Sequence, residues 1–252
     1  MNQIGTKYSI HVFWYDREES LEVCTDKSWE FLQEYMAIVP CSIIPFYAYK
    51  FKGKQEILDR NFVQKALKKG VIRTNVPPYP IMSDLGFSLA LWPKEPKHSI
   101  DIHCGVYSTR NHNSVSIGLP LLSEDTSQFY QEEFLKKLFE LMIRHWQPDH
   151  GEIWNADIWQ SYNYNVNAGD VRIGWLTYLS FRYGELPRLP AWAEIKRINN
   201  LGTVIATTKH LTNATNHEDV LKVSELSTIL DPFYKIPTTP TSTPSGQTKR
   251  HT

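Results

Sequence analysis

Three closely spaced segments in which apolar and polar residues alternate constrain the fold of this chain more than any other feature. They span residues 85–92, 100–107 and 114–119, and the two connectors between them are short and polar. Alternation with a period of two is typical of β-strands that bury one face. Because the connectors are too short for crossover helices, the segments are expected to form an antiparallel meander.

Other segments predict further strands and several helices. Residues 8–15 alternate in the same way and predict a strand, and residues 170–180 are also typical of one. Residues 128–146 carry a wide apolar stripe opposite a charged face, which is typical of a helix packed on a core. Shorter helices are expected over residues 28–38, 61–69 and 217–230, and a hairpin over residues 195–207. This mixture predicts an α+β fold, a single domain with an antiparallel sheet and helices packed on one face.

The composition of the C-terminus predicts where this domain ends. The chain has 252 residues, and we expect residues 1–235 to form one domain. Residues 236–252 include six Thr, three Pro, two Ser and one Gly, together 12 of 17 residues. Such a segment cannot bury enough apolar surface to offset its ordering entropy, so a disordered tail is predicted.

Charge and cysteine content narrow the class of protein and its compartment. Lys+Arg and Asp+Glu both number 27, which argues against a general nucleic-acid binder with a basic excess. The first residues lack the apolar core of a signal peptide, and no uncharged stretch is long enough to span a bilayer. The three cysteines form no CxxC pair. These features predict a cytoplasmic protein with reduced thiols and no metal, which binds neither membranes nor nucleic acid directly.

Familiar catalytic motifs are absent, since the sequence contains no GxGxxG, phosphate-binding loop, GxSxG or HExxH pattern. Cys104 follows His103, but on a strand the two side chains point to opposite faces, and Cys104 shares the apolar one. His145 lies on the apolar stripe of its helix, which favours a partly buried, hydrogen-bonded histidine over a metal ligand. We expect a protein that is not an enzyme and holds no cofactor. A thiol or metal hydrolase using these three residues is the alternative.

An acidic stretch near the N-terminus is one candidate binding surface. Between Asp16 and Glu34 the chain carries seven acids and two bases. One interpretation is a solvated loop and helix face, and the other is a surface that presents carboxylates to a basic partner. On the second interpretation Glu18, Glu19 and Glu22 are candidate contacts.

An aromatic cluster is the other candidate binding surface. Six Trp and Tyr residues, interleaved with asparagines, fall between Trp146 and Trp175. Those two end residues belong to regular elements and are expected in the core. Trp154, Trp159 and Tyr162 have a polar, loop-like context, where they are either core residues or anchors for a protein partner, since large rings with a polar tip are favoured at interfaces.

One run of residues carries a family resemblance. Residues 174–180 read Gly-Trp-Leu-Thr-Tyr-Leu-Ser and follow Asp170 and Arg172. The pattern WxPxxG stands upstream at residues 146–151, and Leu-Gly-Thr-Val-Ile follows at residues 201–205. With these flanks the chain resembles the immunity protein 52 family of bacterial polymorphic toxin and type VI secretion systems.

The resemblance extends over about residues 84–230 and implies a function. Such proteins are cytosolic antidotes that bind a toxin encoded beside them, and the associated toxins include DNases of restriction-endonuclease fold. The resemblance implies that this chain binds a cognate toxin, a nuclease, and occludes its active or DNA-binding surface; immunity to a non-nuclease effector is the alternative. Asp170, Arg172, Gly174 and Trp175 carry the family pattern and are expected to be structural.

Overall fold

Eight strands of this chain form one antiparallel sheet with helices around it. The computed structural model describes residues 8–15, 17–39, 49–51, 54–56, 58–92, 98–108, 111–161 and 172–231. The predicted tail, residues 236–252, lies outside these ranges, so its disorder stays a prediction.

The described residues contain ten strands and five α-helices. The strands are β1 (Tyr8–Trp14), β2 (Tyr49–Phe51), β3 (Lys54–Glu56), β4 (Phe87–Leu91), β5 (Ser99–Cys104), β6 (Asn113–Gly118), β7 (His150–Asn155), β8 (Leu176–Ser180), β9 (Glu194–Ile198) and β10 (Gly202–Ala206). The helices are α1 (Leu21–Ile38), α2 (Arg60–Lys69), α3 (Glu132–Trp146), α4 (Ala156–Ser161) and α5 (His217–Leu230). Within the described ranges, none of the helices combines the length and the apolar character needed to cross a membrane.

The strand order of the large sheet is β4-β5-β6-β1-β7-β8-β10-β9, while β2 and β3 pair separately. The predicted meander forms β4, β5 and β6 at one end of the sheet. β1 lies between β6 and β7, so the N-terminal strand joins the meander to the later strands. The prediction of a single α+β domain with an antiparallel sheet is confirmed.

One face of the sheet carries the main core. Val12 and Trp14 of β1 are fully buried on this face, within the apolar cluster that includes side chains of α1 and α3. The indole of Trp14 stacks on that of Trp146 from α3, with ring centroids 5.3 Å apart. Phe31 of α1 meets the Trp146 ring edge-on at 5.7 Å. Contacts among these three rings stabilise the packing of α1 and α3 against β1.

The opposite face is covered at one end by α5. Val223, Leu226 and Leu230 of this helix form a second apolar cluster with Leu179 of β8 and Ile205 of β10. The sequence predicted helices on one face only, and α5 covers part of the other face as well. This second covered face was not predicted, because β8 and β10 are buried on both faces and their residues do not alternate between apolar and polar. Further along the same face, β5 and β6 present half-buried polar side chains, among them Asp101, His103 and Ser116.

α1 begins at Leu21, earlier than the predicted residue 28. Ser20 caps the helix, its side-chain oxygen accepting a hydrogen bond from the Val23 backbone N–H. The first turns bury Thr25 and Ser28, whose small polar side chains interrupt the apolar period in the sequence. The Thr25 hydroxyl donates to the Leu21 carbonyl oxygen at 2.7 Å, which satisfies its buried donor.

β7 is the strand of the large sheet that the sequence did not predict. It pairs with β1 and β8 near the centre of the sheet and contains Trp154, which was expected in a loop-like segment. Residues 150–153 are all buried, so hydrophobicity does not alternate along the strand. Two of these buried residues, His150 and Glu152, are polar, so the sequence does not look like that of a central strand.

The Gly-Trp pair before β8 fits closely against β7. A Cβ atom on Gly174 would overlap the Ile153 carbonyl group, so a side chain has no room there. The Trp175 backbone N–H donates to the same carbonyl oxygen at 2.7 Å. Its indole is fully buried, and Nε1 donates to the Thr208 carbonyl oxygen at 3.0 Å. The close packing of Gly174 and the hydrogen bonds of Trp175 therefore hold the start of β8 against β7.

Replacement of Trp175 tests this structural role. We expect Trp175→Ala to lower the free energy of unfolding by about 3–5 kcal/mol, because it leaves a cavity and an unpaired carbonyl group. Chemical denaturation followed by circular dichroism measures the loss. Trp92→Ala is the matched control, since Trp92 is 54% exposed, and should change stability little. A Trp175→Ala protein of wild-type stability would contradict the assignment.

Candidate functional site

Polar and aromatic side chains occupy the second face of β1 and β7. The register sets His11 opposite Glu152 and Phe13 opposite His150. Because successive side chains of a strand alternate in direction, these four point away from the face on which Val12 is buried. We refer to His11, Glu152, His150, Trp154 and Arg172 as the sheet-face cluster.

Glu152 is fully buried in the sheet-face cluster. Within the described part of the chain neither of its carboxyl oxygens has a hydrogen-bond partner. Burial raises the pKa of Glu152 to about 8, although the Arg172 guanidinium acts in the opposite direction. At neutral pH the carboxyl group is therefore mostly protonated, which avoids the cost of burying a charge.

The histidines of the cluster are uncharged as well. Burial, reinforced by Arg172, lowers the pKa of His11 to about 3. Burial also lowers the pKa of His150 to about 3. The His150 ring stacks on Phe13 with centroids 5.0 Å apart, and its Nδ1 lies 3.1 Å from the Tyr183 hydroxyl oxygen. Neutral imidazoles packed in this way behave as part of the interior rather than as cations.

Arg172 and Trp154 close one side of the cluster. The guanidinium carbon of Arg172 lies 4.9 Å from the centroid of the Trp154 ring, a cation–π distance. The half-buried Trp154 ring also meets His11 edge-on at 5.7 Å. Trp154 is therefore packed on its neighbours instead of protruding from a loop.

The residues proposed for a thiol or metal hydrolase lie apart. A hydrogen bond with Cys24, together with burial, raises the pKa of the Cys104 thiol well above its usual range. His103 lies on the other face of β5, where its Nε2 is 2.8 Å from a backbone carbonyl oxygen. His145 Nε2 lies 2.8 Å from the Lys27 carbonyl oxygen, which confirms the partly buried, hydrogen-bonded histidine. No group of three His, Cys, Asp or Glu side chains in the described ranges is placed to hold a metal ion.

Acidic residues recur every four positions at the start of α1 and along it, so they follow one side of the helix. We define the acidic surface as Glu18, Glu22, Asp26, Glu30 and Glu34. Glu18 precedes the first turn, and it is exposed, as are Glu22, Glu30 and Glu34.

Basic side chains neutralise part of this acidic region. Arg60 of α2 forms ion pairs with both Glu22 and Asp26, and its Nε donates to Asp26 Oδ1 at 2.7 Å. Glu19 turns inward, with only 8% of its side chain exposed, and pairs with Lys27. Of the three predicted contacts, Glu18 alone is exposed without an ion pair to any described residue.

The structure describes the remaining predicted site residues only in part or not at all. Trp159 belongs to α4, but its side chain lies outside the described residues, as do Tyr162 and Asp170 altogether. Their roles stay predictions. Sequence reasoning also missed Glu152 and His11, because only the pairing of β1 with β7 brings these distant residues together.

Comparison with solved structures places the fold among known proteins. The Pseudomonas aeruginosa T6SS protein PA0821 matches with a TM-score of 0.58 and 14% sequence identity, over 94% of this chain and 75% of that one. At this identity the match shows a shared fold. No curated protein matches the sequence.

The family follows from a match of the sequence itself. The model of the family described as Immunity protein 52 matches residues 6–233, nearly the whole chain. The chain belongs to this family, as the resemblance implied, and its role is toxin immunity. An immunity protein has a cognate toxin as its partner.

The protonation of Glu152 gives a pH-dependent prediction. Between about pH 5 and pH 8 the folded chain keeps this proton and the unfolded chain loses it, so the contribution of Glu152 to stability falls as the pH rises. Glu152→Gln cannot ionise. The free energy of unfolding of the variant minus that of the wild type should therefore increase by up to about 1.4 kcal/mol per pH unit in this range.

Urea denaturation of both proteins across this pH range measures the difference. Because His11 and His150 are present in both proteins, their own effect cancels. Ser114→Ala, a non-titrating change on the same sheet face, is the control and should give a difference independent of pH. A constant difference for Glu152→Gln would mean that the buried carboxyl titrates normally.

Proposed function

We propose that this chain neutralises a nuclease toxin encoded beside it, by covering the active or DNA-binding surface of that toxin. Membership of the immunity protein 52 family supports the protein partner. The observation that carries the choice of a nuclease is the acidic surface, because the protein as a whole has no net charge. Carboxylates gathered on one side of a neutral molecule select a basic partner.

The charge argument starts from the toxin's substrate. A DNase presents basic side chains to the phosphates of DNA. Carboxylates that meet this surface speed the encounter and fix its orientation, whereas each exposed ion pair contributes only about 0–1 kcal/mol to stability. Glu18 and Glu30 suit this role, because each is exposed and forms no ion pair with a described residue.

Lasting affinity requires buried contacts as well. Trp154, Trp159 and Tyr162 remain our proposed aromatic contacts, since rings of this type dominate interface energies. Trp154 packs against Arg172 and His11 on the face of the sheet opposite α1, so it would bind the toxin through a preformed surface separate from the acidic one. A surface that is already ordered loses less entropy on binding.

The cellular setting is part of the same proposal. The structural match is a T6SS protein, which supports a toxin delivered by type VI secretion. We propose that inhibition takes place in the cytoplasm, where DNA is the toxin's target. Residues 1–235 would contain the toxin contacts, and the mechanism needs neither a cofactor nor catalysis by this chain.

Plasmid cleavage and stopped-flow binding test the proposal. The probe is the purified product of the open reading frame beside this gene. One equivalent of the chain should abolish cleavage of plasmid DNA. Reversal of Glu18 and Glu30 to Lys should slow association and flatten its dependence on salt, because complementary charges accelerate encounter.

Glu225→Lys makes the same charge change as either single reversal, on the exposed side of α5 and outside the acidic surface, and serves as the control. Its association rate should stay close to that of the wild type. If association responds neither to salt nor to the reversals at Glu18 and Glu30, the acidic surface is only a solvated face. If the neighbouring product cuts no DNA and is still bound, the nuclease assignment is wrong.

A further inference from the structure

The outer edge of β9 is an exposed end of the large sheet. β9 is last in the strand order and pairs on one side only, with β10. Residues 194–197 of this strand are all exposed, and Ile195 is 56% exposed. No described residue outside the β9–β10 hairpin makes a backbone hydrogen bond to β9. The N–H and C=O groups along this edge are therefore open to pair with another strand.

The other end of the sheet is covered, in contrast to β9. Gly70, which follows α2, lies against β4, where the Ser88 hydroxyl donates to the Gly70 carbonyl oxygen at 2.7 Å. A Cβ atom on Gly70 would overlap the Ser88 carbonyl oxygen, so the two backbones are in direct contact. Among the residues that the structure describes, β9 has no cover of this kind.

A groove separates β9 from α3 on the face of the sheet that carries the main core. It has a volume of about 260 Å³ and is lined in part by the apolar side chains of Phe139 and Val204. Two bases and two acids stand around it, Lys136 and Glu140 from α3 and Glu194 and Lys196 from β9. Because these charges balance, the groove does not select a basic toxin. It leaves room for the side chains of a strand added beside β9.

The ion pairs of the groove leave one carboxylate over. Lys196 pairs with Glu140, and Lys136 pairs with acids of its own helix. Glu194 is exposed and forms no ion pair within the described ranges. A base at the facing position of an added strand would meet this carboxylate, and opposite charges in that position stabilise the pairing of two strands.

The β9 sequence complements itself in one antiparallel register. A two-fold axis normal to a shared sheet sets one residue opposite its own copy. With Ile195 on the axis, Glu194 lies opposite Lys196 of the second copy, and symmetry forms the same pair again. The two Ile195 side chains then meet on the other face, where Arg197 lies opposite Ala193. Registers centred on Glu194, Lys196 or Arg197 would instead bring like charges together.

We propose that β9 is the surface through which two copies of this chain associate, so that one antiparallel sheet continues across both. Charge complementarity between Glu194 and Lys196 selects the second copy as the occupant, in the register centred on Ile195. An edge of five residues buries little area, so the dimer is weak and reversible. The acidic surface takes no part in this pairing, and the inference is therefore independent of the proposed function.

Sedimentation velocity of the full chain over a wide range of concentrations tests the dimer. The wild type should pass from monomer to dimer as its concentration rises. Glu194→Lys sets bases opposite each other and Lys196→Glu sets acids opposite each other, so each should weaken self-association by about tenfold or more. An equimolar mixture of these two variants again has opposite charges in the same register and should dimerise. Melting temperatures should change little, since both side chains are exposed.

Glu124→Lys is the matched control. It reverses an exposed acid in the segment between β6 and α3, and it should dimerise as the wild type does. A wild type that is monomeric at every concentration, or a mixture of the two β9 variants that stays monomeric, overturns the proposal. A Glu194→Lys protein that dimerises like the wild type also overturns it, because the contact then lies elsewhere. If the wild type is monomeric and Glu194→Lys loses binding to the neighbouring gene product, the edge serves the toxin and the proposal is wrong.

Discussion

The central position of β1, paired with both β6 and β7, determines where the two halves of the sheet and the core helices lie. It joins the first residues of the chain to strands that lie about a hundred or more positions away, and it sets Trp14 beneath α1 and α3. Because the side chains of a strand alternate, a slip of one residue would turn Trp14 out of the core and His11 into it. Burial of Trp14 thus fixes the register. The same register brings His11 against Glu152 on the other face.

A neutral sheet-face cluster is the consequence of that register. Ionised Glu152 would be a buried charge without a hydrogen-bond partner among the described residues, and the protein avoids this by keeping the proton. Arg172 keeps its guanidinium at the edge of the cluster, against the Trp154 ring, where it opposes the protonation of His11 and His150. The cluster is therefore a packed layer that joins β1 and β7 to the segment before β8. Its titratable side chains act in packing, as apolar ones do elsewhere in the sheet.

The sequence reveals those parts of the fold whose strands are buried on one face only. Residues 85–119 alternate, so the meander was predicted with nearly the observed strands. β7 was missed because both of its faces are buried and Glu152 interrupts its apolar character. The sequence showed the acidic stretch but did not show that part of it is neutralised. The ion pairs of Arg60 with Glu22 and Asp26 form only because α2 packs against α1.

The distribution of charge and apolar surface matches the two demands on an immunity protein. It must meet the toxin quickly and then release it slowly, and different forces serve these needs. Long-range attraction depends on carboxylates that form no ion pair with a basic side chain. Arg60 pairs with Glu22 and Asp26 but not with Glu18. Slow dissociation depends on buried contact, for which Trp154 is one of our proposed residues. The exposed carboxylates belong to α1 and the residue Glu18 before it, whereas Trp154 belongs to β7. The exposed residues of α1 can therefore change to suit a different toxin without disturbing the Trp14–Trp146 core.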